Sequence, residues 1–353
     1  MINQESFRHD RANMFDLLVR LPRQIQEAIL LQPELPLPDI SGSLQQVVIT
    51  GMGGSAVGGD LLAGLYGDRL DLPLIVNRDY SLPQFVGAHS LVIACSYSGD
   101  TEETLASCEQ AESAGAPMVC ISSGGKLAKL AAGNDHGYLR LPPGLPPRCA
   151  LGYLFFSLLK VMQEYGLIVL DADDVHETLT TLEELVSLYR DFENPANPAV
   201  SLASALAGKI PIIYCGDEPN PALHRRWRNQ INENSKMPAF SNLLPEMNHN
   251  EIAAWHPASG HLAAFHVLFL CDDHNPPTIR RRMEITRDLI AELQVPVSQV
   301  QAVGKSRLCR TFSLLLLADF VSFYLALLNG VDPTDVHNID QLKNQLAIVQ
   351  KKK

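Results

Sequence analysis

Three short hydroxyl side chains and one glycine occur together in the stretch Ser96-Tyr-Ser-Gly-Asp-Thr101. The apolar segment before it, ending at Cys95, is typical of a buried strand, and the segment after it has a helical pattern. A helix N-terminus offers unpaired N–H groups and the positive end of the helix dipole. With the hydroxyls of Ser96, Ser98 and Thr101, such a turn suits a phosphate group. An ordinary capped helix would use the same residue types, so the turn alone leaves both interpretations open.

A second loop, Gly51-Met-Gly-Gly-Ser-Ala-Val-Gly-Gly-Asp60, is rich in glycine and follows a strand candidate at residues 45–50. Its spacing is similar to a dinucleotide-binding fingerprint. However, Ser55 stands where that fingerprint needs a tight turn, and Asp71 lies at a strand start rather than a strand end. A nucleotide cofactor is therefore not favoured. Gly54 and Ser55 suit a second phosphate or sugar contact, although the glycines could simply permit a sharp, closely packed turn.

The second half of the chain holds side chains that could move protons. Glu233 lies in a polar cluster, residues 230–236, at the end of a helical segment, where it is either a general base or a solvated helix end. His249 lies in a polar loop between two Asn residues. Lys343 lies near the start of the last helical segment, where its charge opposes the helix dipole, so both a functional role and a surface position fit.

A metal site is the other chemistry that these histidines could serve. His249 could bind a metal ion together with His256, His261 and His266. However, His261 and His266 lie in an apolar strand pattern, and no HExxH spacing is present. We therefore expect neither a metal nor a cofactor.

Composition limits the classes of partner. A chain of 353 residues with 46% hydrophobic and 19% charged residues is typical of a globular protein with room for two domains. The formal net charge of −11 argues against nucleic acid as a partner, and it requires that any phosphate site be built locally. Seven dispersed cysteines without a CxxC pair are typical of reduced thiols in the cytoplasm.

We expect no signal peptide and no membrane segment. The N-terminus lacks the apolar region of a signal peptide. The most apolar stretch, residues 312–328, contains Asp319 and is short for a membrane span, so we interpret it as a buried helix.

The elements that must position these residues alternate between strand and helix. Apolar patterns predict strands at 45–50, 72–77, 91–95, 118–121 and 138–141, and again at 210–215, 262–270 and 295–302. Helical patterns cover 5–31, 102–115, 149–165, 172–192, 221–233, 277–293, 306–329 and 339–349. Such alternation predicts an α/β fold with doubly wound parallel sheets, in which ligands bind beyond the carboxyl ends of the strands.

The segment Asn194-Pro-Ala-Asn-Pro198 predicts a domain boundary. We expect an N-terminal helical extension at 1–38, a first domain at 39–193 with the phosphate loops, and a second domain at 194–353. The C-terminal helix of the second domain is expected to reach the active site.

Taken together, these motifs resemble those of the bifunctional phosphoglucose/phosphomannose isomerases, over nearly the whole chain. The segments that carry the resemblance are 51–60, 96–101, 147–148, 233–236, 246–251 and 339–343. The resemblance implies two flavodoxin-like domains of the sugar isomerase (SIS) type, with the active site between them. It also implies a homodimer in which His249 comes from the partner subunit.

The same resemblance implies a role for each candidate. Glu233 would move a proton between C1 and C2 through a cis-enediol, and Arg148 would stabilise the enediolate. His249 and Lys343 would assist ring opening, since His is suited to acid–base work near neutral pH. The phosphate would contact Gly54 and Ser55 in the first loop and Ser96, Ser98 and Thr101 in the second. Thr334 is expected beside the C1–C2 pocket.

Two alternatives remain open at this point. One is an isomerase of another sugar phosphate, against which the combination of Glu233, His249 and Arg148 speaks. The other is a non-catalytic regulator that binds a sugar phosphate through an SIS domain. Such regulators usually carry a DNA-binding or partner-binding segment, and the acidic composition gives no sign of one.

Overall fold

The structure of the protein, a computed structural model, describes residues 2–40 and 44–350. Its N-terminal region was predicted as one helix over residues 5–31, and this is wrong. The chain forms a 3-10 helix, Gln4–His9, and then α1 Met14–Val19 and α2 Leu21–Leu30. The carboxylate of Asp10 accepts hydrogen bonds from the N–H groups of Met14 (2.7 Å) and Phe15 (3.0 Å). Asn13 is left-handed (φ 57°). A new helix therefore starts where the pattern predicted continuity.

The first sheet has five parallel strands in the order β2-β1-β3-β4-β5. They are β1 Gln46–Thr50, β2 Leu74–Asn77, β3 Ser90–Cys95, β4 Met118–Ser122 and β5 Gly137–Arg140. The helices that connect or follow them are α3 Gly53–Tyr66, α4 Glu102–Ser113, α5 Gly125–Gly133 and α6 Leu151–Glu164. This strand order changes direction between β1 and β3, which is where doubly wound sheets bind ligands.

The apolar strands of this sheet are buried on both faces because successive residues point to opposite sides. In β1, Val47 and Ile49 join a core shared with α3 and α6. Val48 points the other way, into a smaller core beneath α4 and α5. Near-continuous apolar runs are therefore required here, as they are in parallel sheets in general.

The second sheet has four parallel strands in the order β7-β6-β8-β9. After α7 Ala172–Tyr189 and α8 Pro198–Leu206, its elements are β6 Ile210–Cys215, α9 Leu223–Ser235, β7 Phe240–Leu243, β8 Phe265–Cys271, α10 Pro277–Glu292 and β9 Val297–Gln301. Two helices complete the chain, α11 Arg307–Leu328 and α12 His337–Gln350. The two parallel sheets confirm the predicted α/β fold class.

The apolar helix α11 is the centre of the molecule. Its 22 residues are long and apolar enough to cross a membrane by composition, but 94% of the most apolar window is buried within the protein. It packs against α7, α8 and α9 in the core that also holds Ile213 of β6. The prediction of a buried helix is confirmed, and its predicted range, residues 306–329, agrees with the observed helix to within one residue at each end.

Several other boundaries differ from the sequence prediction. Strand β7 was not predicted, because it is a short edge strand with little apolar character. Strand β8 starts at Phe265 rather than at residue 262, so His261 lies in the turn before it. Helix α9 runs to Ser235, two residues beyond the predicted end, and α12 starts at His337 rather than at residue 339.

Candidate functional site

The glycine-rich loop, residues 51–55, and the hydroxyl-rich loop, residues 96–101, meet at the carboxyl ends of β1 and β3, which are adjacent in the sheet. The hydroxyl oxygen of Ser55 accepts a hydrogen bond from the N–H of Tyr97 (3.2 Å). A Cβ atom added to Gly51 would lie 2.8 Å from the carbonyl oxygen of Cys95, closer than real side chains approach. Glycine therefore lets the two loops touch at the carboxyl ends of adjacent strands.

Within the second loop, the hydroxyls bond to each other and to the backbone. Ser96 Oγ and Thr101 Oγ1 are 2.8 Å apart, and Ser96 Oγ also accepts from the N–H of Gly99 (3.1 Å). Ser98, which is exposed, accepts from the N–H of Asp100 (3.3 Å). Thr101 is the N-cap residue of α4, as predicted, but its side chain makes no capping hydrogen bond. The turn is therefore more than a conventional helix cap.

Gly99 is required by the geometry of this turn. Its φ is +75°, and a Cβ atom there would lie 1.9 Å from the carbonyl oxygen of Gly124. No other residue fits without moving the backbone. The close approach holds the Ser98 turn against the start of α5.

Arg148 lies in a 3-10 helix, Pro147–Cys149, and is only 5% exposed. Its Nε donates to Asn234 Oδ1 (2.7 Å). Its Nη2 donates to the carbonyl oxygens of Pro333 (2.7 Å) and Thr334 (3.0 Å). Nη1 lies 3.7 Å from Glu233 Oε2, which is an ion-pair distance but too long for a hydrogen bond. The Nη1 corner of the guanidinium is therefore the one positioned to donate to a ligand.

The segment before Arg148 connects it to the two loops that follow β1 and β3. The hydroxyl of Tyr97 donates to the carbonyl of Pro142 (2.6 Å) and accepts from the N–H of Leu145 (3.0 Å). A Cβ atom on Gly54 would lie 3.1 Å from the carbonyl oxygen of Pro147 and 3.4 Å from the Cα of Arg148. A proline-rich connection thus fixes Arg148 beside both loops.

Helix α9 meets this arrangement with a polar stripe on its buried face. Arg226 Nη2 donates to the carbonyl of Arg148 and to Asp319 Oδ1, both at 2.8 Å. Gln230 also donates to Asp319 Oδ1. Burial raises the pKa of Asp319, and the guanidinium of Arg226 opposes that increase.

Asn234 completes the stripe. Its amide donates to Ser322 Oγ (2.9 Å), while its oxygen accepts from Arg148. The positions 226, 230 and 234 are spaced by four residues and so share one helix face. Sequence reasoning missed this network; the four-residue spacing of polar residues in an otherwise packed helix was the available signal.

Glu233 is the next residue on α9, and its side chain is 29% exposed. It borders a cleft of about 650 Å³ that residues 232–233, 236–240 and 335–339 line. Lys236 and His337 also line this cleft, and sequence reasoning gave neither a role. Thr334 lies nearby in the chain, and its hydroxyl is buried without a hydrogen-bond partner in the described part of the protein.

Lys343 lies on the exposed surface of α12. It is the seventh residue of that helix, so the argument from a charge at the helix start is wrong. It follows Ile339, which lines the Glu233 cleft, by four residues and therefore shares its helix face. This register directs Lys343 to the side of α12 that carries the cleft.

His249 ends a 3-10 helix, Glu246–His249, and is exposed. It is not among the residues that line the Glu233 cleft within one chain. Its neighbour Asn248 lines a different groove of about 660 Å³, together with Ile252 and a largely apolar face of α10. The structure of a single chain therefore does not bring His249 to Glu233.

Among the described residues, no group of three or more His, Cys, Asp or Glu could hold a metal ion. His266 is buried, and its two ring nitrogens contact the carbonyl of Ala205 (3.1 Å) and the hydroxyl of Ser298 (2.8 Å). Burial lowers the pKa of His266. This histidine has a structural role between α8 and β9.

Comparisons with known proteins agree across most of the chain. Residues 195–346 match the family model of the bacterial phospho-glucose isomerase C-terminal SIS domain. A bifunctional phosphoglucose/phosphomannose isomerase of Caldicellulosiruptor bescii is 41% identical over 338 residues, covering 96% of this chain and 100% of the relative. A protein of the same name from Aquifex aeolicus is 35% identical, covering 85% of this chain and 90% of the relative.

A solved structure shows the same fold at much lower identity. The C-terminal domain of glucosamine-fructose-6-phosphate aminotransferase from Francisella tularensis superposes with a TM-score of 0.65 at 14% identity. The superposition covers 94% of this chain and 99% of that domain. The chain thus shares its overall fold with that aminotransferase domain.

Proposed function

The chain belongs to the family of bifunctional phosphoglucose/phosphomannose isomerases, and from that premise we propose that it interconverts glucose 6-phosphate and mannose 6-phosphate with fructose 6-phosphate. The reaction is an aldose–ketose isomerisation through a cis-enediol. We assign residues 39–193 to the first SIS domain, residues 194–353 to the second and residues 1–38 to a helical extension.

The phosphate binds at the switch point of the first sheet. Ser55, Ser96, Ser98 and Thr101 supply hydroxyls, and α3 and α4 direct their N-termini to the same crevice. Gly54 lets this loop pack against the backbone of Arg148. The phosphate end of the substrate is therefore anchored within reach of the guanidinium that serves the other end.

Glu233 is the base. Its carboxylate removes the proton from C2 of the open-chain aldose, and the electron pair of the C2–H bond forms the C1–C2 double bond while O1 takes the negative charge. The proton on O2 then passes to O1, the C2–O2 bond becomes the carbonyl, and the electron pair of the C1–C2 double bond takes the proton from Glu233 at C1, which gives fructose 6-phosphate. Because C2 is planar in the enediol, glucose 6-phosphate and mannose 6-phosphate share one intermediate.

Arg148 stabilises the enediolate through Nη1. Its other donors are already fixed by Asn234 and by the carbonyls of Pro333 and Thr334. A cation that is held in place before the reaction needs little reorganisation when the charge develops. Thr334 lies beside this guanidinium, which suits it to line the C1–C2 pocket.

Ring opening precedes proton transfer, and here we propose His249 of the partner subunit together with Lys343. Since His249 is exposed and does not line its own chain's Glu233 cleft, a homodimer supplies the simplest route to the site. Lys343 reaches the sugar from α12. The proposed mechanism needs no metal or cofactor. We further propose a cytoplasmic enzyme with neither nucleic acid nor membrane as a partner.

The observation that carries this proposal is Arg148, whose backbone packs on the phosphate loop while its guanidinium faces Glu233 at 3.7 Å. A coupled assay for fructose 6-phosphate, run from glucose 6-phosphate and from mannose 6-phosphate, tests it. Turnover of both substrates is expected. Binding of both without turnover would instead indicate the non-catalytic regulator, and turnover of only another sugar phosphate would indicate a different isomerase.

A further inference from the structure

Lys236 directly follows the last residue of α9, and its ammonium group turns back onto the end of that helix. It donates to the carbonyl oxygens of Glu233 (2.6 Å) and Asn234 (3.3 Å), and also to that of Pro333 (3.3 Å). An ammonium has three donors, and all three find a carbonyl here. The residue as a whole is exposed, whereas its ammonium end lies against these carbonyls and is partly desolvated.

Two of these carbonyls are among the last four of α9, which have no partner within the helix. Lys236 has a left-handed backbone (φ 56°), the conformation that usually ends a helix. A cation at this end also complements the helix dipole. The ammonium thus fixes the helix turn that carries Glu233.

The third carbonyl belongs to the segment between α11 and α12. The carbonyl of Pro333 accepts from both Lys236 and Arg148. One carbonyl therefore joins the proposed base, through its helix end, to the proposed enediolate-binding cation. Among the described residues, this carbonyl oxygen is the atom at which the end of α9, Arg148 and the Pro333 segment are all in contact.

We propose that Lys236 is a positioning residue, whose ammonium holds the Glu233 turn and the Pro333 segment in register with Arg148. This inference rests on the proposed isomerase function. It assigns Lys236 no proton transfer of its own, because its three donors are directed to the backbone.

The charged groups around Lys236 make this contact sensitive to pH. Desolvation and, to a smaller extent, Arg148 lower the pKa of Lys236, while Asp335, Asp332 and Glu233 act in the opposite direction, and together these groups bring it to about 8. Above this pKa the ammonium loses one donor and its charge, so the contact weakens.

The effect on stability has the opposite sign to the effect on activity. The unfolded state keeps the ordinary lysine pKa of 10.5, so between about pH 8 and 10.5 it binds more protons than the folded state. Stability contributed by this group therefore rises with pH in that window. A loss of activity there cannot be attributed to unfolding driven by Lys236.

The test compares Lys236→Met and Lys236→Arg with Lys209→Met as a matched control. Methionine keeps a long side chain and the left-handed backbone, so it isolates the ammonium. Lys209 also donates to a backbone carbonyl, that of Ala263 (2.8 Å), but it does not line the Glu233 cleft. We expect Lys236→Met to lower kcat by about 10–100-fold, the range for misplaced reacting groups, with little change in KM. Lys209→Met is expected to behave as wild type.

The pH profile separates positioning from a general structural role. The alkaline limb of kcat should move to higher pH in Lys236→Arg, since arginine stays protonated. An unmoved limb, or a kcat of Lys236→Met equal to that of Lys209→Met, would overturn the inference.

Hydrogen exchange of residues 331–336, measured at one pH below 8, gives a readout without substrate. Faster exchange is expected in Lys236→Met but not in Lys209→Met, and equal exchange in the two variants would refute the contact. An inactive wild type with this difference intact would refute the isomerase function alone.

Discussion

Replacing Glu233 by Gln tests the centre of the mechanism. The change keeps the shape and the hydrogen-bonding capacity of the side chain but removes the base. A positioned general base contributes about 10²–10⁴-fold to the rate. At about 1.36 kcal/mol per tenfold, this corresponds to about 2.7–5.4 kcal/mol of the barrier. Since the phosphate loops belong to the other sheet, KM should change little.

The structure also predicts that the fold tolerates this change. Unpairing a fully buried charge costs about 3–5 kcal/mol, whereas a partly exposed ion pair contributes about 0–1 kcal/mol. Arg148 keeps its hydrogen bonds to Asn234, Pro333 and Thr334 when Glu233 is neutralised, and the lost contact is only a 3.7 Å approach. We therefore expect Glu233→Gln to lower the free energy of unfolding by only about 0–1 kcal/mol. The melting temperature should stay close to that of the wild type.

Three measurements on the purified Glu233→Gln variant decide whether Glu233 is the base. They are the coupled assay with glucose 6-phosphate, the same assay with mannose 6-phosphate, and exchange of the C2 proton in D₂O. All three rates should fall together, because both substrates use one enediol. Glu246→Gln is the control, since Glu246 is exposed and its recorded partner is Asn250. If Glu233→Gln kept either activity near the wild-type rate, Glu233 would be only a helix-end carboxylate, and the base would lie elsewhere.

The remaining predictions concern the phosphate loop, the buried ion pair and metal. Ser96→Ala with Thr101→Ala should raise KM while the fold stays intact, because each lost hydroxyl costs about 0.5–1.5 kcal/mol, and more toward a charged phosphate; an unchanged KM would reduce the turn to a helix cap. Asp319→Asn removes the negative charge that is paired with the buried guanidinium of Arg226 and should cost about 3–5 kcal/mol in urea unfolding; a value near zero would contradict the network. Extensive chelation should leave the activity intact, because the proposed proton transfer uses side chains; loss with EDTA and recovery with zinc would refute the enediol mechanism.

The sequence predicted the α/β class and most strands because parallel strands buried on both faces are continuous apolar runs. It failed where local contacts override the pattern. Asp10 caps a new helix within an apolar periodicity that looked continuous, and β7 is an edge strand without an apolar run. The periodicity of apolar residues indicates which side chains are buried. An internal helix cap and a polar edge strand change that pattern too little to be predicted from it.

The two loops that carry hydroxyl and glycine residues could be located because their residue types and their position after a strand both follow from local chain order, and their role in phosphate binding stays a prediction. The environment of Arg148 could not, because its partners lie 86 and 185 residues further along the chain. The same reason hid the role of Asp319, which the sequence marked only as a charge in an apolar helix. Long-range polar networks leave at most a spacing signal, such as the four-residue repeat on α9.

The two ends of the proposed site differ in chemistry for a physical reason. The loops after β1 and β3, residues 51–55 and 96–101, contain no Lys or Arg and offer hydroxyls, N–H groups and helix dipoles. The phosphate carries the same charge in substrate and transition state, so its binding is uniform and neutral donors suffice. The enediolate charge exists only near the transition state, and a cation placed there acts on kcat. Arg148 has that position: three of its donors are fixed on protein acceptors, and Nη1 faces the Glu233 side of the cleft. The buried polar network of Arg226, Asp319 and Asn234 is therefore required to fix the position of the Arg148 guanidinium.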